Sequence, residues 1–432
     1  MVLDQHLISP NHQRPSWTGI LVTFVAYVCV HAGRKAFTNT KSIAVDYLGL
    51  DPETAGTMDA IFMLSYAIGL VTLGGLGDSR NPLGLLAMSL LLMSVFQSTF
   101  VELCIGGYSE WLLILVWSLN GLVQSLAWPC CVKLVQYYLN SYPRQTTVFS
   151  FWACNGIVGN IVSSLIAELI VQRYSASIEA FRLIFTTTSL LNVAACALVL
   201  CLSYSPSPRS LSVGSSEGKT SITDTLKIRG VLDYSLCHLC IKGVAYAMFF
   251  WLPFYLTKVH HVDAGTAASV SIVYDVATAI GGPICGLLVE KTNKPAFLIC
   301  LAVLFAAGPQ FLINSTSDTT LWNLFMSQDD QVPYGVILNI VFSGFFVGGV
   351  LNILSAAICV SVGGSHGAAR VTGVIDGFGS IGASATQIFV PMVSVGGLGW
   401  TGVFSLLGVL LIISALTLVR IVRDEFNVYQ FN

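Results

Sequence analysis

Residues 20–37 read ILVTFVAYVCVHAGRKAF, an apolar run that ends in two adjacent cations, Arg34 and Lys35. A helix that spans a membrane needs about 20 mostly apolar residues, and this stretch is long enough to form most of one. A charged side chain at bilayer depth costs roughly 3 kcal/mol and usually faces a water-filled cavity. A third cation, Lys242, lies in a comparable apolar stretch of the second half. We therefore expect a cavity lined by cations that few carboxylates neutralise, whose partner is an anion that binds and leaves.

The composition of the whole chain agrees with a membrane location. Of its 432 residues 54% are hydrophobic and 10% are charged, and the mean hydropathy is +0.76, whereas a soluble domain carries about 25% charged residues. The net charge of −2 gives no indication of a nucleic-acid partner. The polar N-terminus lacks the apolar core of a cleaved signal peptide, so the first helix is expected to direct insertion.

The apolar stretches predict an all-α membrane protein of twelve transmembrane helices in two six-helix bundles. The predicted helices cover residues 17–43, 55–77, 82–104, 110–139, 145–170, 180–203, 230–257, 264–289, 295–314, 333–361, 367–394 and 400–421. The corresponding domains are a cytosolic segment (1–16), a first bundle (17–203), a mobile cytosolic linker (204–229), a second bundle (230–422) and a cytosolic tail (423–432).

A short motif recurs at the same place in each half. After the second helix the chain reads Gly74-Gly-Leu-Gly-Asp78-Ser-Arg80-Asn-Pro82, and after the eighth it reads Gly286-Leu-Leu-Val-Glu290-Lys291-Thr-Asn-Lys294-Pro295. The repetition indicates duplication, an architecture in which transporters place their site between the repeats. We predict that Asp78 and Arg80, with their counterparts Glu290 and Lys291, form a latch between helices and do not touch the substrate.

The loop charges predict the orientation. With both termini in the cytosol, most Lys and Arg residues of the loops fall on the cytosolic side, as the positive-inside rule requires. The one N-glycosylation sequon, Asn314-Ser-Thr316, then lies on the far side, where a glycosyltransferase acts.

The cations have the spacing of a single binding site. His31, Arg34 and Lys35 share one face of the first helix, and the planar fork of an arginine matches the oxygens of a phosphate. The seventh helix is the counterpart of the first, and Lys242 lies too deep in it to reach the interface easily. One cation from each half is therefore predicted to close on one anion. The alternative for the first helix is a buried ion pair with one of the intramembrane acids, which are Asp59, Asp275 and Asp376.

Other polar residues and breaks in the sequence have structural interpretations. Lys133 lies near a cytosolic helix end, where its side chain is predicted to reach the interface. Pro129 predicts a kink in the fourth helix. Cys237 and Cys240 have metal-ligand spacing, but a zinc site needs about four ligands, so we predict no metal. We find no pairing of a nucleophile with a base, and hence predict no enzyme and no cofactor.

Over residues 17–422 the chain resembles the major facilitator superfamily, and within it the organophosphate:phosphate antiporters of the sugar-phosphate exchanger branch, which includes glucose-6-phosphate transporters. The matching stretches are His31-Ala-Gly-Arg34-Lys35, Asn120-Gly-Leu-Val-Gln124 with Trp128-Pro129, Trp152 with Val158-Gly-Asn160, Lys242 with Tyr246, Trp251-Leu-Pro-Phe-Tyr255 and Ile375-Asp-Gly-Phe-Gly-Ser-Ile-Gly-Ala383.

The resemblance implies that Arg34 and Lys242 clamp a phosphate with help from Lys35, while the two bundles rock about the site. It also implies exchange of a sugar phosphate for inorganic phosphate, in the endoplasmic reticulum. Asn155 stands where some such antiporters carry a His. The further substrate contacts predicted are His31, Tyr66, Asn120, Trp128, Asn155, Tyr246, Tyr274 and Asp376.

Two other functions remain open at this point. A proton-coupled symporter of organic phosphates needs a titrating group in the pathway, for which His31 or Asp376 is available. A sugar-phosphate sensor that has lost transport is expected to carry an added signalling domain. The expected partners are a sugar phosphate, inorganic phosphate and the lipid bilayer, and the oligomeric state is not indicated.

Overall fold

The computed structural model describes residues 15–50, 52–139, 142–203, 221–261, 264–312 and 334–427, which are almost entirely helical and include no strand. The helices of the first half are α1 (Trp17–Leu48), α2 (Pro52–Leu73), α3 (Leu76–Ser79), α4 (Pro82–Ile105), α5 (Glu110–Gln124), α6 (Ala127–Leu139), α7 (Gln145–Trp152), α8 (Asn155–Tyr174) and α9 (Ile178–Ser203). Those that follow are α10 (Ile222–Lys227), α11 (Val231–Val259), α12 (Ala264–Thr292), α13 (Pro295–Leu312), α14 (Tyr334–Ser343), α15 (Gly349–Asn352), α16 (Cys359–Val395), α17 (Gly399–Thr417) and α18 (Val419–Asn427).

These helices confirm an all-α membrane fold. In the described ranges eleven helical stretches are long and apolar enough to cross a membrane, and Pro295–Phe311 is a shorter apolar helix at the place of the predicted ninth span. The predicted bounds agree with these stretches to within six residues, since the apolar runs determine them.

Local sequence determines where several helices begin and end. Ser16 caps α1 by accepting a hydrogen bond from the Gly19 amide at 3.4 Å. Gly49 ends α1 with φ +69°, a left-handed conformation that a glycine adopts without strain. Asn81 accepts from the Leu83 amide at 3.1 Å and Pro82 occupies the first turn of α4, where its missing N–H is not needed.

Three of the predicted spans are not regular α-helices along their whole length, and for the fourth the sequence predicts a kink at Pro129. The fourth divides into α5 and α6 just before Pro129, and the fifth divides into α7 and α8 at residues 153–154. In the tenth, π-helical turns cover Gly344–Gly348 and Ile353–Ile358. Ala153 at the second break, and Gly348 and Ser355 in the π-helical turns, line a central cavity, which is where irregular backbone is tolerated inside a membrane.

The helices form two bundles that meet around this cavity. In the first bundle α1 packs on α8 and α9, and α2 packs on α5. In the second, α11 packs on α16 and α17, and α13 packs on α17. The bundles touch where α16 packs on α2 and α6, and where α12 packs on α7.

Part of the predicted mobile linker is helical. Ile222–Lys227 forms α10, which packs against α11 and α16 and buries Thr225. The rest of the linker up to residue 220, the first 14 residues, the last five and Asn314 lie outside the described residues.

Candidate functional site

A cavity of about 180 Å³ lies between the two bundles. Helices α1, α2, α6 and α8 contribute to its wall from the first bundle, and α11, α12 and α16 contribute from the second. The predicted site residues that line it are His31, Arg34, Lys35, Tyr66, Trp128, Asn155, Lys242, Tyr246, Tyr274 and Asp376. The structure therefore brings together predicted site residues that are up to 345 positions apart in the chain.

Arg34 reaches the cavity without an acidic partner. Its Nε donates a hydrogen bond of 2.5 Å to Oε1 of Gln124, and its Cζ lies 4.6 Å from the centroid of the Tyr66 ring and 5.5 Å from that of Phe62. Its Nη2 is buried and has no hydrogen-bond partner among the described residues. In the same ranges it forms no ion pair, so its positive charge is available to a ligand.

Lys35 lies on the same cavity against an aromatic ring of the other bundle. Its Nζ is 4.1 Å from the centroid of the Phe249 ring on α11, and two predicted acidic partners, Asp59 and Asp275, line the same cavity. Asp59 is instead ion-paired with Lys41. Within the helices described above Lys35 forms no ion pair.

Lys242 differs from the expectation of a cation without a fixed partner. Its Nζ donates to Oδ1 of Asp376 at 2.7 Å and to Oγ of Ser380 at 2.9 Å. Nε2 of His238 lies 3.1 Å from the same carboxylate oxygen. All of these side chains are buried. The pair forms because α11 and α16 approach closely at Gly379, where an added Cβ would lie 2.9 Å from Cδ of Lys242.

Arg34 and Lys242 nevertheless face one region, as the sequence predicts. Their charged groups flank the ring of Tyr66, since Cζ of Arg34 lies 4.6 Å and Nζ of Lys242 lies 5.9 Å from its centroid. Nζ of Lys242 is also 5.7 Å from the ring of Tyr246. One cation from each bundle thus lies close to the same aromatic ring, that of Tyr66.

Aromatic side chains provide much of the remaining wall. Tyr27 packs against Trp128 with a centroid distance of 4.7 Å, and Trp128 stacks on Trp152 at 5.1 Å. Nε1 of Trp128 donates to the carbonyl of Ser355 in the other bundle at 3.0 Å. His31 lies 5.1 Å from Tyr27, between ring centroids. Such a surface suits the apolar faces of an organic ligand.

Three predicted polar contacts differ in their surroundings. Asn155 donates to the carbonyl of Trp152 at 2.7 Å, while its Oδ1 is buried without a partner among the described residues. The Tyr274 hydroxyl is likewise buried and unpartnered in those ranges. Asn120 is buried in α5 and does not line the cavity, so no direct contact with a cavity ligand is available to it.

The acid of each repeated motif contacts the opposite bundle. Asp78 accepts from the backbone amides of Ala369 at 3.2 Å and Arg370 at 2.7 Å on α16. Glu290 accepts from the amide of Thr147 at 2.9 Å and from its hydroxyl at 2.6 Å, in the first turn of α7. Gly364 (φ +62°) interrupts α16, so Ala369 and Arg370 lie near the start of its second part. Unpaired N–H groups at helix starts favour negative charge, which explains why each motif carries an acid at this position.

The basic members of the motifs take no part in these contacts. The side chains of Arg80 and Lys291 are exposed and form no ion pair in the part of the chain that the structure describes. Instead, Nζ of Lys133 lies 3.2 Å from Oδ1 of Asp78, so Lys133 is paired rather than directed to the interface.

Sequence reasoning missed several residues around the cations. Gln124 contacts Arg34. The hydrogen-bond network of Lys242 also includes His238 and Ser380. Phe249 lies next to Lys35. The spacing of Asn120 and Gln124 on one helix face was the available signal for the first of these. No pattern in the sequence indicates the others.

Two bundles of transmembrane helices around a central charged cavity define a membrane transporter. The chain belongs to the Major Facilitator Superfamily, whose family model matches residues 23–386. Among solved structures, the proton:xylose symporter XylE bound to 6-bromo-6-deoxy-D-glucose has a TM-score of 0.70 at 13% identity, covering 94% of this chain and 95% of that one. FucP in the outward conformation has a TM-score of 0.71 at 12% identity, covering 94% and 98%. These structures confirm the fold.

Curated relatives are similar along nearly the whole chain. A Gallus gallus protein named sugar phosphate exchanger 3 is 30% identical, covering 89% of this chain and 87% of its own length. The Homo sapiens protein of the same name is 28% identical over 89% and 88%. A Mus musculus glucose-6-phosphate exchanger is 26% identical over 96% and 94%. The predicted resemblance is confirmed, and the protein is a transporter and not an enzyme.

Proposed function

We propose that the protein carries a sugar phosphate across a membrane in exchange for inorganic phosphate. The observation that carries the proposal is the Arg34 guanidinium, which faces the cavity with no acidic partner in the described residues. A guanidinium binds phosphate oxygens through two parallel hydrogen bonds. Lys242 is proposed as the second phosphate contact and Lys35 as an auxiliary one, while the aromatic wall receives the sugar. The names of the relatives support a sugar phosphate as the substrate.

The proposed motion is a rocking of bundle 17–203 against bundle 230–422 around the bound anion. In the empty protein, closing the cavity from both sides would leave the charge of Arg34 buried and unpaired, at a cost of several kcal/mol. A phosphate removes that cost. Lys242 contributes less to the barrier, because Asp376 already neutralises it. Because of the charge on Arg34, the cavity therefore returns to its original side of the membrane only when a second anion is bound.

This coupling predicts the result of a preloading experiment. Proteoliposomes loaded with inorganic phosphate should take up labelled glucose 6-phosphate at least about tenfold faster than empty ones, since each 1.4 kcal/mol of barrier is a factor of ten. Liposomes loaded with an equal concentration of a neutral sugar serve as the control. Equal rates in loaded and empty proteoliposomes would reject obligatory exchange.

We propose that Asp78 and Glu290 latch the bundles together at one end, the face we expect to be cytosolic. Replacing Asp78 with Asn and Glu290 with Gln should raise the population open at this face about fivefold per substitution, since a helix cap contributes about 1 kcal/mol. Cys130 is buried next to Gly77, so its labelling by a small maleimide, located by mass spectrometry, reports the opening. Asp233→Asn, which breaks a pair with Arg420 inside the second bundle, is the matched control. Unchanged Cys130 labelling in the latch variants would contradict the role.

For location we propose the endoplasmic reticulum, with both termini and linker 204–229 in the cytosol. The excess of basic loop residues on that side supports the orientation. Protease protection of tags at the two ends, in sealed microsomes, tests it.

A proton-coupled symporter is the second candidate, and Asp376 favours it. This carboxylate lines the cavity and contacts both Lys242 and His238, so it is placed to exchange a proton when an anion binds. Uptake into unloaded proteoliposomes that follows an imposed pH gradient, with a substrate fully ionised at both pH values, would support this candidate over exchange.

A further inference from the structure

We infer that Gln124 is the positioning residue that orients Arg34 and leaves its charge available to an anion. Gln124 does not line the cavity, so it acts through the arginine and not on the ligand. The inference rests on the proposed function, because it concerns how Arg34 meets a phosphate.

The contacts around the guanidinium hold it from several sides. Oε1 of Gln124 accepts from Nε of Arg34 at 2.5 Å, and the rings of Tyr66 and Phe62 lie 4.6 and 5.5 Å from Cζ. Because the guanidinium is planar, a hydrogen bond at Nε fixes the direction in which the two Nη groups point. Nη2 is buried without a partner within the described ranges, so this donor is left unused by the protein and is available to an anion that enters the cavity.

Gln124 is held in place through burial and through the backbone beside it. It is fully buried at the last position of α5. The preceding carbonyl, of Val123, accepts a hydrogen bond of 2.9 Å from Oγ of Ser89 on α4. This attachment to a second helix fixes the backbone that carries Gln124, while Nε2 of the same side chain is buried without a partner among the described residues.

The two cations of the cavity differ in the chemical group that accepts their hydrogen bond. Lys242 is held by a carboxylate, Asp376, which orients it and also neutralises it. Arg34 is held by an amide, which accepts a hydrogen bond of the same kind but carries no charge. A glutamate at position 124 would keep the geometry and remove the net charge. The amide thus orients Arg34 without neutralising its positive charge, and the specificity of the site for anions depends on that charge.

The test compares purified full-length variants by the dissociation constant of inorganic phosphate, by exchange kinetics in proteoliposomes and by thermal unfolding. Gln124→Glu has the same shape and adds a carboxylate beside Arg34, so phosphate binding should weaken by about a hundredfold, with unchanged or higher thermal stability. Gln124→Leu removes the acceptor and frees the guanidinium, which should raise KM about tenfold with little change in kcat. Gln172→Glu, an exposed position on α8, is the control for the same change in charge.

The outcomes separate this inference from the proposed function. If the wild type binds phosphate and Gln124→Glu binds it within about threefold of the wild type, the role of Gln124 is overturned and the proposed function stands. If Gln124→Glu unfolds, the KM and kcat of Gln124→Leu decide, and a loss confined to kcat contradicts positioning. If the wild type binds neither phosphate nor glucose 6-phosphate, the proposed function fails and this inference fails with it.

Discussion

Arg34→Ala is expected to abolish phosphate binding and exchange while the protein still folds. A hydrogen bond to a charged group contributes about 1.5–3 kcal/mol, and a guanidinium makes two to a phosphate, so the loss should be at least about a hundredfold. Folding should survive because Arg34 forms no ion pair in the described helices, and removing it leaves no buried carboxylate unpaired. Phosphate titration and thermal unfolding of the purified variant measure the two effects separately.

Two further variants make this result specific. Arg34→Lys keeps the charge but replaces the planar fork with a point charge, so it should remain well below wild-type exchange. Arg182→Ala removes an arginine of the same bundle that is paired with Glu102 at an exposed site, and it should exchange normally. Near-normal exchange by Arg34→Ala would exclude Arg34 from the site.

Asp376→Asn is expected to tighten phosphate binding and slow exchange. Asp376 holds Lys242 at 2.7 Å, so an entering phosphate competes with it for the ammonium group. Removing the carboxylate charge frees Lys242 for the ligand, and we expect phosphate to bind about tenfold tighter, a gain of about 1.4 kcal/mol. A more tightly held phosphate leaves more slowly, so the maximal exchange rate should fall. Phosphate titration and the saturating exchange rate give the two values.

The control for this variant is Asp233→Asn, which makes the same change in an ion pair away from the cavity. It should leave both values near those of the wild type. Phosphate binding by Asp376→Asn that is unchanged or weaker than wild type would show that Asp376 does not compete with the ligand.

Hydropathy sufficed to predict the helices, because each membrane span needs a long apolar run. It also placed Arg34 and Lys242 in corresponding helices of the two halves, which the structure brings to one aromatic ring. The break at residues 125–126 lies beside the kink that Pro129 predicts. The break at 153–154 and the π-helical turns were not predictable, since they preserve the apolar character of the span while changing its backbone.

The partners of the charged groups could not be predicted from the sequence for a different reason. Gln124 is 90 positions from Arg34, and Asp376 is 134 positions from Lys242, and each contact depends on how a helix is rotated about its axis. The repeated motif indicated Asp78 as a residue between helices, and in the structure it accepts hydrogen bonds from the backbone amides of Ala369 and Arg370. Backbone donors leave no signature in a pattern of side chains.

The position of a bound phosphate ester shows whether Arg34 and Lys242 form one phosphate site. It can be measured in an electron cryo-microscopy map of the full-length protein saturated with glucose 6-phosphate. We predict phosphate density between the guanidinium of Arg34 and the ammonium of Lys242, beside the ring of Tyr66. Density for the phosphate at any other place, with Arg34 bonded only to Gln124, would contradict this prediction.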